Sequence, residues 1–374
     1  PQGSADFTSI QAAVDAAAAG DVVAVMPGTY DGAVVIEKDL SLLGDGPRDE
    51  IVLVASVPAA SSEGIDPRGL IGGSRAFAVH LSGESVTIAD LTIANPDGTT
   101  GVAVTAGAPV IERVVFVGPE ELEPRFSAHV HRLFASLAFY DDVDAIVRDS
   151  AWDGYVAVRD GASVRFEGNT VSGDTISIDG PGTTSVRDSV LLRGSISMSY
   201  GVTGVIEGNE FHGDISQLGI DSGSVVEVLG NSFSGGVEDA AVWVQDRDTS
   251  AVISGNVVTD GQNGLRIAGG GSAIVTDNTL DVAAIGVSIA GSDAQLIDNA
   301  ITSAGAGVVV VAGADATISG NSIEAGGRAI VVGQDSAPSI SGNAICGEQA
   351  SIFIEDGAAP SLDDNVVCDE AAGE

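Results

Sequence analysis

"GNSIEAGGRAIVVGQDSAPSISGNAIC" occupies residues 320–346. It opens and closes on the same phrase, Gly-Asn-small-Ile, with Asn321 and Asn343 22 residues apart. The pattern apolar-x-(Gly/Asp)-(Asn/Ser)-x-apolar recurs with its polar residue at Ser150, Asn169, Ser189, Asn209, Asn231, Asn256, Asn278, Asn299, Asn321, Asn343 and Asn365. Successive steps lie between 19 and 25 residues, half of them 22. Fainter echoes without the Asn place Leu91 in "IADLTI" and Val114 in "IERVVF". A period this regular is the signature of a stacked repeat array, so length alone does not count domains.

The repeat from Asn299 to Gly320, "NAITSAGAGVVVVAGADATISG", holds three short β-runs, "AIT", "GVVVV" and "ATIS". None is long enough to form its own sheet. Stacked on copies of themselves, they would pair with their equivalents one coil away, ~4.8 Å distant. This predicts an all-β solenoid of three strands and about 22 residues per coil, with roughly 13 coils in a rod on the order of 60 Å long. The recurring Asn is expected at a sharp corner, where Gly and Asn reach the left-handed region at least cost. Its amides should bond up the column. The ladder Asn209, Asn231, Asn256, Asn278, Asn299, Asn321, Asn343 and Asn365 is thus read as structural.

Composition agrees. The 374 residues include 50 Gly, with 44% hydrophobic but only 4% aromatic residues. Net charge is −38, and Lys38 is the single lysine. A field of that sign repels nucleic acid and anionic membrane, and tolerates cations, neutral glycans or high salt. No apolar run reaches membrane-spanning length, so no membrane insertion is expected. Residue 1 is Pro, which reads as a processed or excised chain.

The chain resembles the right-handed parallel β-helix, pectin-lyase-like superfamily, and within it the β-helix-repeat proteins of carbohydrate-binding and sugar-hydrolase type. The period carries that resemblance, and so does the opening "DFTSIQAAVDAAAAGDVVAVMPGTY". It reads as a short cap helix over 7–19, with Asp6 or Thr8 capping, Gly20 ending it, and Ile10, Ala13, Val14 and Ala17 as its apolar stripe. The resemblance implies one β-helix domain over 1–374. It bears on fold more than activity, since such coils host lyases, hydrolases, esterases, epimerases, adhesins and sensors.

Cys346 and Cys368 are 22 apart and each follows its corner Asn by three residues. Sharing a register, they should form a disulfide that staples the last coils, residues 343–374, and implies an extracellular, periplasmic or cell-surface location, the alternative being a stacked pair of free thiols. Little chain follows Asn365, so the end is expected to meet another domain or subunit.

In the resembled superfamily, ligands usually lie on the strand set that here follows the "SAGA"-type turn. Alternation places Ala157, Ser177, Ser197, Ser216, Trp243, Arg266, Ser288, Val309, Val331 and Phe353 outward on it, a reading that one slip of register would invert. The serines are ordinary strand filler or a polar floor for sugar hydroxyls. Trp243, with Gln245, Asp246 and Arg266, is the candidate glycan contact, unless it packs under its own loop. Tyr155 and Arg159 are further candidates. Val309, Val331 and Phe353 would make an exposed apolar column. An insert at 118–142 brings His129 and His131, which with Asp141 and Asp142 are weak metal candidates. No resident cofactor is expected, calcium being the one ion left open. The paired carboxylates of a hydrolase and the acid-plus-base sets of a lyase, epimerase or esterase do not assemble on this ladder. The reading is therefore a non-catalytic module that binds carbohydrate or serves as a surface, sensory or adhesive domain. The alternatives are a polysaccharide lyase or hydrolase near Trp243, Arg266 and the insert, or an inert spacer.

Overall fold

The computed structural model describes residues 6–54, 77–95, 100–118, 135–213, 217–235 and 240–368. The chain divides into two compact units, residues 1–190 and 191–374. Each is a stack of parallel coils in which every strand pairs with its equivalent in the next coil. One coil shows the plan. Ser272–Thr276 lies on a first face, the corner at Asn278 follows, and Thr279–Ala290 bends across the second and third faces. The ladder is in register throughout that coil: Ala273 pairs with Ala294, Leu280 with Ile301, and Ser288 with Val309.

The core follows from this register. An apolar residue at an inward position stacks on an apolar residue of the next coil, so Ile301, Ile323 and Ile345 line up and all are buried. Phe211 and Phe233 do the same with rings stacked at 4.4 Å. Each such side chain contributes about 1.5–3 kcal/mol relative to exposure.

The Asn column is present, with its conformational basis moved by one residue. The left-handed residue is the one before each Asn: Gly230 at φ 59°, Gly255 at 66°, Asp277 at 57°, Asp298 at 54° and Gly320 at 68°. The expectation that Asn itself takes the corner conformation is thereby corrected. Turning the backbone at Gly or Asp points the Asn inward, where its Oδ1 can meet the preceding coil. Asn299 Oδ1 accepts from Asn278 N–H at 3.0 Å and from Asn278 Nδ2 at 2.9 Å. Asn299 Nδ2 donates to Val275 O, Ile297 O and Asn321 Oδ1. In residues 1–190 serine takes part in the same column: Ser150 Oγ accepts from Val114 N–H, and Ser189 Oγ from Asn169 N–H.

The cap helix, α1, spans Ile10–Ala16 and is shorter than 7–19. Ser9, not Asp6 or Thr8, is its N-cap, its hydroxyl accepting from Ala12 N–H. Ile10 and Val14 are buried. Gln11 substitutes for a missing strand, since its Oε1 accepts from Val35 N–H at 2.7 Å and its Nε2 donates to Val35 O at 3.3 Å. Lys38 donates to Asp15 O and Ala17 O, where the helix leaves its last carbonyls unpaired. The lone lysine is a helix C-terminal ligand.

Cys346 and Cys368 form the expected disulfide, with Cα atoms 5.1 Å apart. The 118–142 insert is narrower than expected, because Ala135–Phe139 is already a third-face strand with Tyr140 buried beside it.

Candidate functional site: the outer third face

In residues 1–190 the outward positions of the third face follow a fixed register. His80 pairs with Ala103, Ala103 with Ala138, Ala138 with Ala157, and Ala157 with Ser177. All five are buried although they point away from the core. Tyr140 and Tyr155, also buried, pack with Ala135, Ala138 and Ala157 in one cluster.

Tyr155 and Arg159 belong to a closed polar network rather than an open site. The Arg159 guanidinium pairs with the Asp179 carboxylate, donates to Ser177 Oγ at 3.2 Å, and donates to the Tyr155 hydroxyl. Ser177 Oγ in turn donates to Asp179 Oδ2 at 3.3 Å. The charge of Arg159 is thus met by Asp179, and this group holds one carboxylate. Its surface is apolar alanine with a neutralised polar edge. Ser177 is a member of that network rather than strand filler.

His80 escapes a reading based on Trp and Arg alone. Its Nε2 lies 2.9 Å from Thr105 Oγ1, while Nδ1 is buried without a hydrogen-bond partner. Phe77 packs on it with ring centroids 5.4 Å apart. Burial lowers its pKa below the ordinary imidazole value, and the charge of Glu37 opposes that shift.

In residues 191–374 the third-face column reads Ser197, Gly219, Trp243, Arg266, Ser288, Val309, Val331, Phe353. Ser216, expected in the second place, lies outside the described residues, and Gly219 holds that place. The inward pair there is Leu218 and Ile220, so the intervening glycine faces out. It matters because the Trp243 indole lies across it. A Cβ at Gly219 would meet Trp243 Cζ2 at 2.4 Å, Cε2 at 2.6 Å and Nε1 at 3.0 Å. Trp243 is half-buried, Arg266 exposed, and Gln245 and Asp246 half-buried beside them. Gln245 Nε2 approaches Asp246 Oδ1 at 3.5 Å. The Nε1–Cε2–Cζ2 side of the indole rests on the Gly219 backbone while the residue keeps solvent-accessible surface, between short Ser197 and cationic Arg266. Such a shelf can stack on a sugar ring and bond its hydroxyls. Further along, Val309, Val331 and Phe353 are half-buried rather than open, and Arg328 covers the Phe353 ring at 3.6 Å from its centroid.

Sequence reasoning also missed a polar chain on the second face. Ser234 Oγ lies 2.8 Å from His212 Nδ1, and His212 Nε2 lies 3.2 Å from Glu210 Oε2. The Glu210 side chain is 60% exposed, so water screens that pair. His129 and His131 lie outside the described residues. Among the described residues no group of three or more His, Cys, Asp or Glu could hold a metal ion, Asp141 and Asp142 included.

The sequence model of the family described as periplasmic copper-binding protein (NosD) matches residues 167–368. The chain belongs to the NosD family. That membership agrees with the right-handed parallel β-helix expected from the repeats. No curated protein matches the chain. Among solved structures, bacteriophage CBA120 tailspike protein 3 is similar at 13% identity and TM-score 0.49, covering 95% of this chain and 57% of the tailspike. The chain thus spans little more than half of that protein. The mannuronan C-5 epimerase AlgE6 A-module of Azotobacter vinelandii is similar at 18% identity and TM-score 0.39, covering 96% of this chain and 94% of the module. PfbA, a surface adhesin of Streptococcus pneumoniae, is similar at 12% identity and TM-score 0.41, covering 96% and 87%. No role passes from these structures to this NosD-family chain.

Proposed function

We propose that this NosD-family chain is a non-catalytic carbohydrate-binding module of the periplasm or cell surface, with the Trp243 shelf as its sugar contact. One observation carries the reading: a partly exposed indole laid over Gly219, with Arg266 next to it in register. Binding sites for sugars need an apolar plate beside directional polar groups. The net charge of −38 favours neutral glycans over anionic ones. The disulfide supports a location outside the reducing cytosol. Among the described residues no helix is long and apolar enough to cross a membrane. The last described coil exposes Leu362 and Val367 at positions that are inward elsewhere.

The family description names copper, which favours thiolate, thioether and imidazole donors. Here both cysteines are joined to each other and Met198 is buried in the core. His80 faces Thr105, and His212 sits between Ser234 and Glu210. Among the described residues no three His, Cys, Asp or Glu gather as metal ligands, so they do not fit a copper site built from those donors, and the proposed sugar contact uses none.

The test is a glycan array probed with and without calcium, repeated on Trp243→Ala and Arg266→Ala. Neutral glycans should bind wild type in both conditions and fail on Trp243→Ala. Binding unchanged in Trp243→Ala would refute the shelf. No binding to any glycan would leave the chain a spacer.

A further inference from the structure

A groove of 460 Å³ lies on the first face of residues 191–374, away from the Trp243 shelf. Alternation in a strand should leave polar residues outward. Here it leaves Val225 51% exposed, Val252 38% and Ile274 42%, in three successive coils. Ser250 and Ser272, opposite each other in register, form a low floor beside them. Glu227 borders one end, and Asp293 and Asp315 border the other. No Arg, Lys or His lines the groove.

The first face of residues 1–190 is built differently. There Glu112, Arg148, Glu167 and Arg187 stand opposite one another in register, alternating in sign. Asp90 pairs with Arg113 at 2.6 Å, and hydrogen bonding from that arginine lowers the Asp90 pKa. That charged column is internally neutralised. The groove of residues 191–374 is apolar at its centre, with no cation among the residues that line it.

We propose that this groove docks an extended basic segment of a partner protein, with an apolar side chain over Val252 and Ile274 and a lysine or arginine toward each acidic end. Charge complementarity selects this occupant. A second copy of the chain would bring the same acids against these. A sugar would find aliphatic side chains but no aromatic plate. Nucleic acid would be repelled. The dimensions agree as well. From Glu227 to Gln295, beside Asp293, is three coil steps, or ~14 Å. An extended chain with cations at positions i and i+4 and an apolar residue at i+2 spans ~13 Å on one side.

The experiment uses the whole chain and a fluorescein-labelled peptide of pattern Lys-Thr-Val-Thr-Lys, followed by fluorescence anisotropy at low and high salt. Two control peptides replace the lysines by glutamate or the valine by glycine. The parent peptide should bind, and the double variant Val252→Ser/Ile274→Ser should weaken it about tenfold. Asp293→Asn/Asp315→Asn should weaken it similarly and flatten the salt dependence. These side chains face outward, so circular dichroism melts of the variants should match wild type. Equal binding of the glycine control, or no effect of the serine substitutions, would reduce the groove to unspecific charge attraction and overturn the proposal. So would a dimer seen by light scattering that Ile274→Asp dissolves.

Discussion

The Trp243 shelf makes a steric prediction that Gly219→Ala isolates. The added methyl carbon would sit 2.4 Å from Cζ2 and 2.6 Å from Cε2 of the indole. Carbon atoms pack best at about 3.5–4.0 Å, so the ring must lift or swing by about 1 Å or more. Gly219 is not left-handed, so alanine there brings no backbone strain, and strand interiors favour it over glycine by about 0.5–1 kcal/mol. Thermal stability should therefore move little while the ring moves a lot. The only other tryptophan, Trp152, is 1% exposed in the core against Phe166, so a Trp152→Phe background leaves Trp243 as the sole reporter. In that background Gly219→Ala should red-shift the emission and raise acrylamide quenching. Any glycan that binds wild type should bind the variant more weakly. Unchanged emission and quenching with an unchanged melt would mean the indole does not rest on Gly219, and the proposed contact would lose its seat.

Asn299→Ala should cost about 3 kcal/mol by denaturant melt, since it leaves the buried Asn278 N–H without its acceptor and opens a small cavity. Asn299→Ser should cost roughly half, because a serine oxygen serves as that acceptor at Ser150 and Ser189; equal costs would refute the ladder's role. His80 holds its neutral form below the ordinary imidazole pKa of about 6.5. The unfolded chain therefore binds the proton first, and stability should fall as pH drops below about 6.5. His80→Asn should flatten that part of the melting-temperature profile, and parallel profiles would exclude the assignment. Cys346→Ser/Cys368→Ser should raise hydrogen exchange in Ser361–Val367 and leave coils before Asn299 unchanged, because a solenoid couples only neighbours. Protection lost along the whole of residues 191–368 would contradict that locality.

What was legible in the sequence follows from what register repeats. The corner Asn, the inward isoleucines and the paired cysteines recur at one coil's spacing, because each touches its own equivalent. The same arithmetic reaches Arg159 and Asp179, 20 residues apart and thus one coil apart at that point of the chain. That spacing makes the network readable from the sequence, although neither residue alone announces it. Ser216 failed for a different reason. Alternation distinguishes inward from outward only within a strand, and the strand that carries that place is Leu218–Ile220, with Gly219 opposite Ser197. Gly219 then looks like turn text, although its function is to be absent under an indole. The cap at Ser9 was missed because Asp6, Thr8 and Ser9 offer equivalent oxygens, and only the helix start at Ile10 chooses among them.

The first-face groove shows the limit from the other side. Val225, Val252 and Ile274 were visible as apolar residues, and β-branched residues suit a strand whether or not they meet water. Their exposure depends on two further facts: that they alternate against buried Val226, Ala251 and Ala273, and that no arginine lines the groove they share. The first is a matter of register and the second of distance in space. A solenoid makes both computable once the coil is fixed, because every outward residue has two known neighbours along the column. A surface that is apolar over three consecutive coils and acidic at both ends is therefore a property of the stack. Substituting Ile274 alone should alter the contact offered at Val252 and at Gln295, its partners on either side.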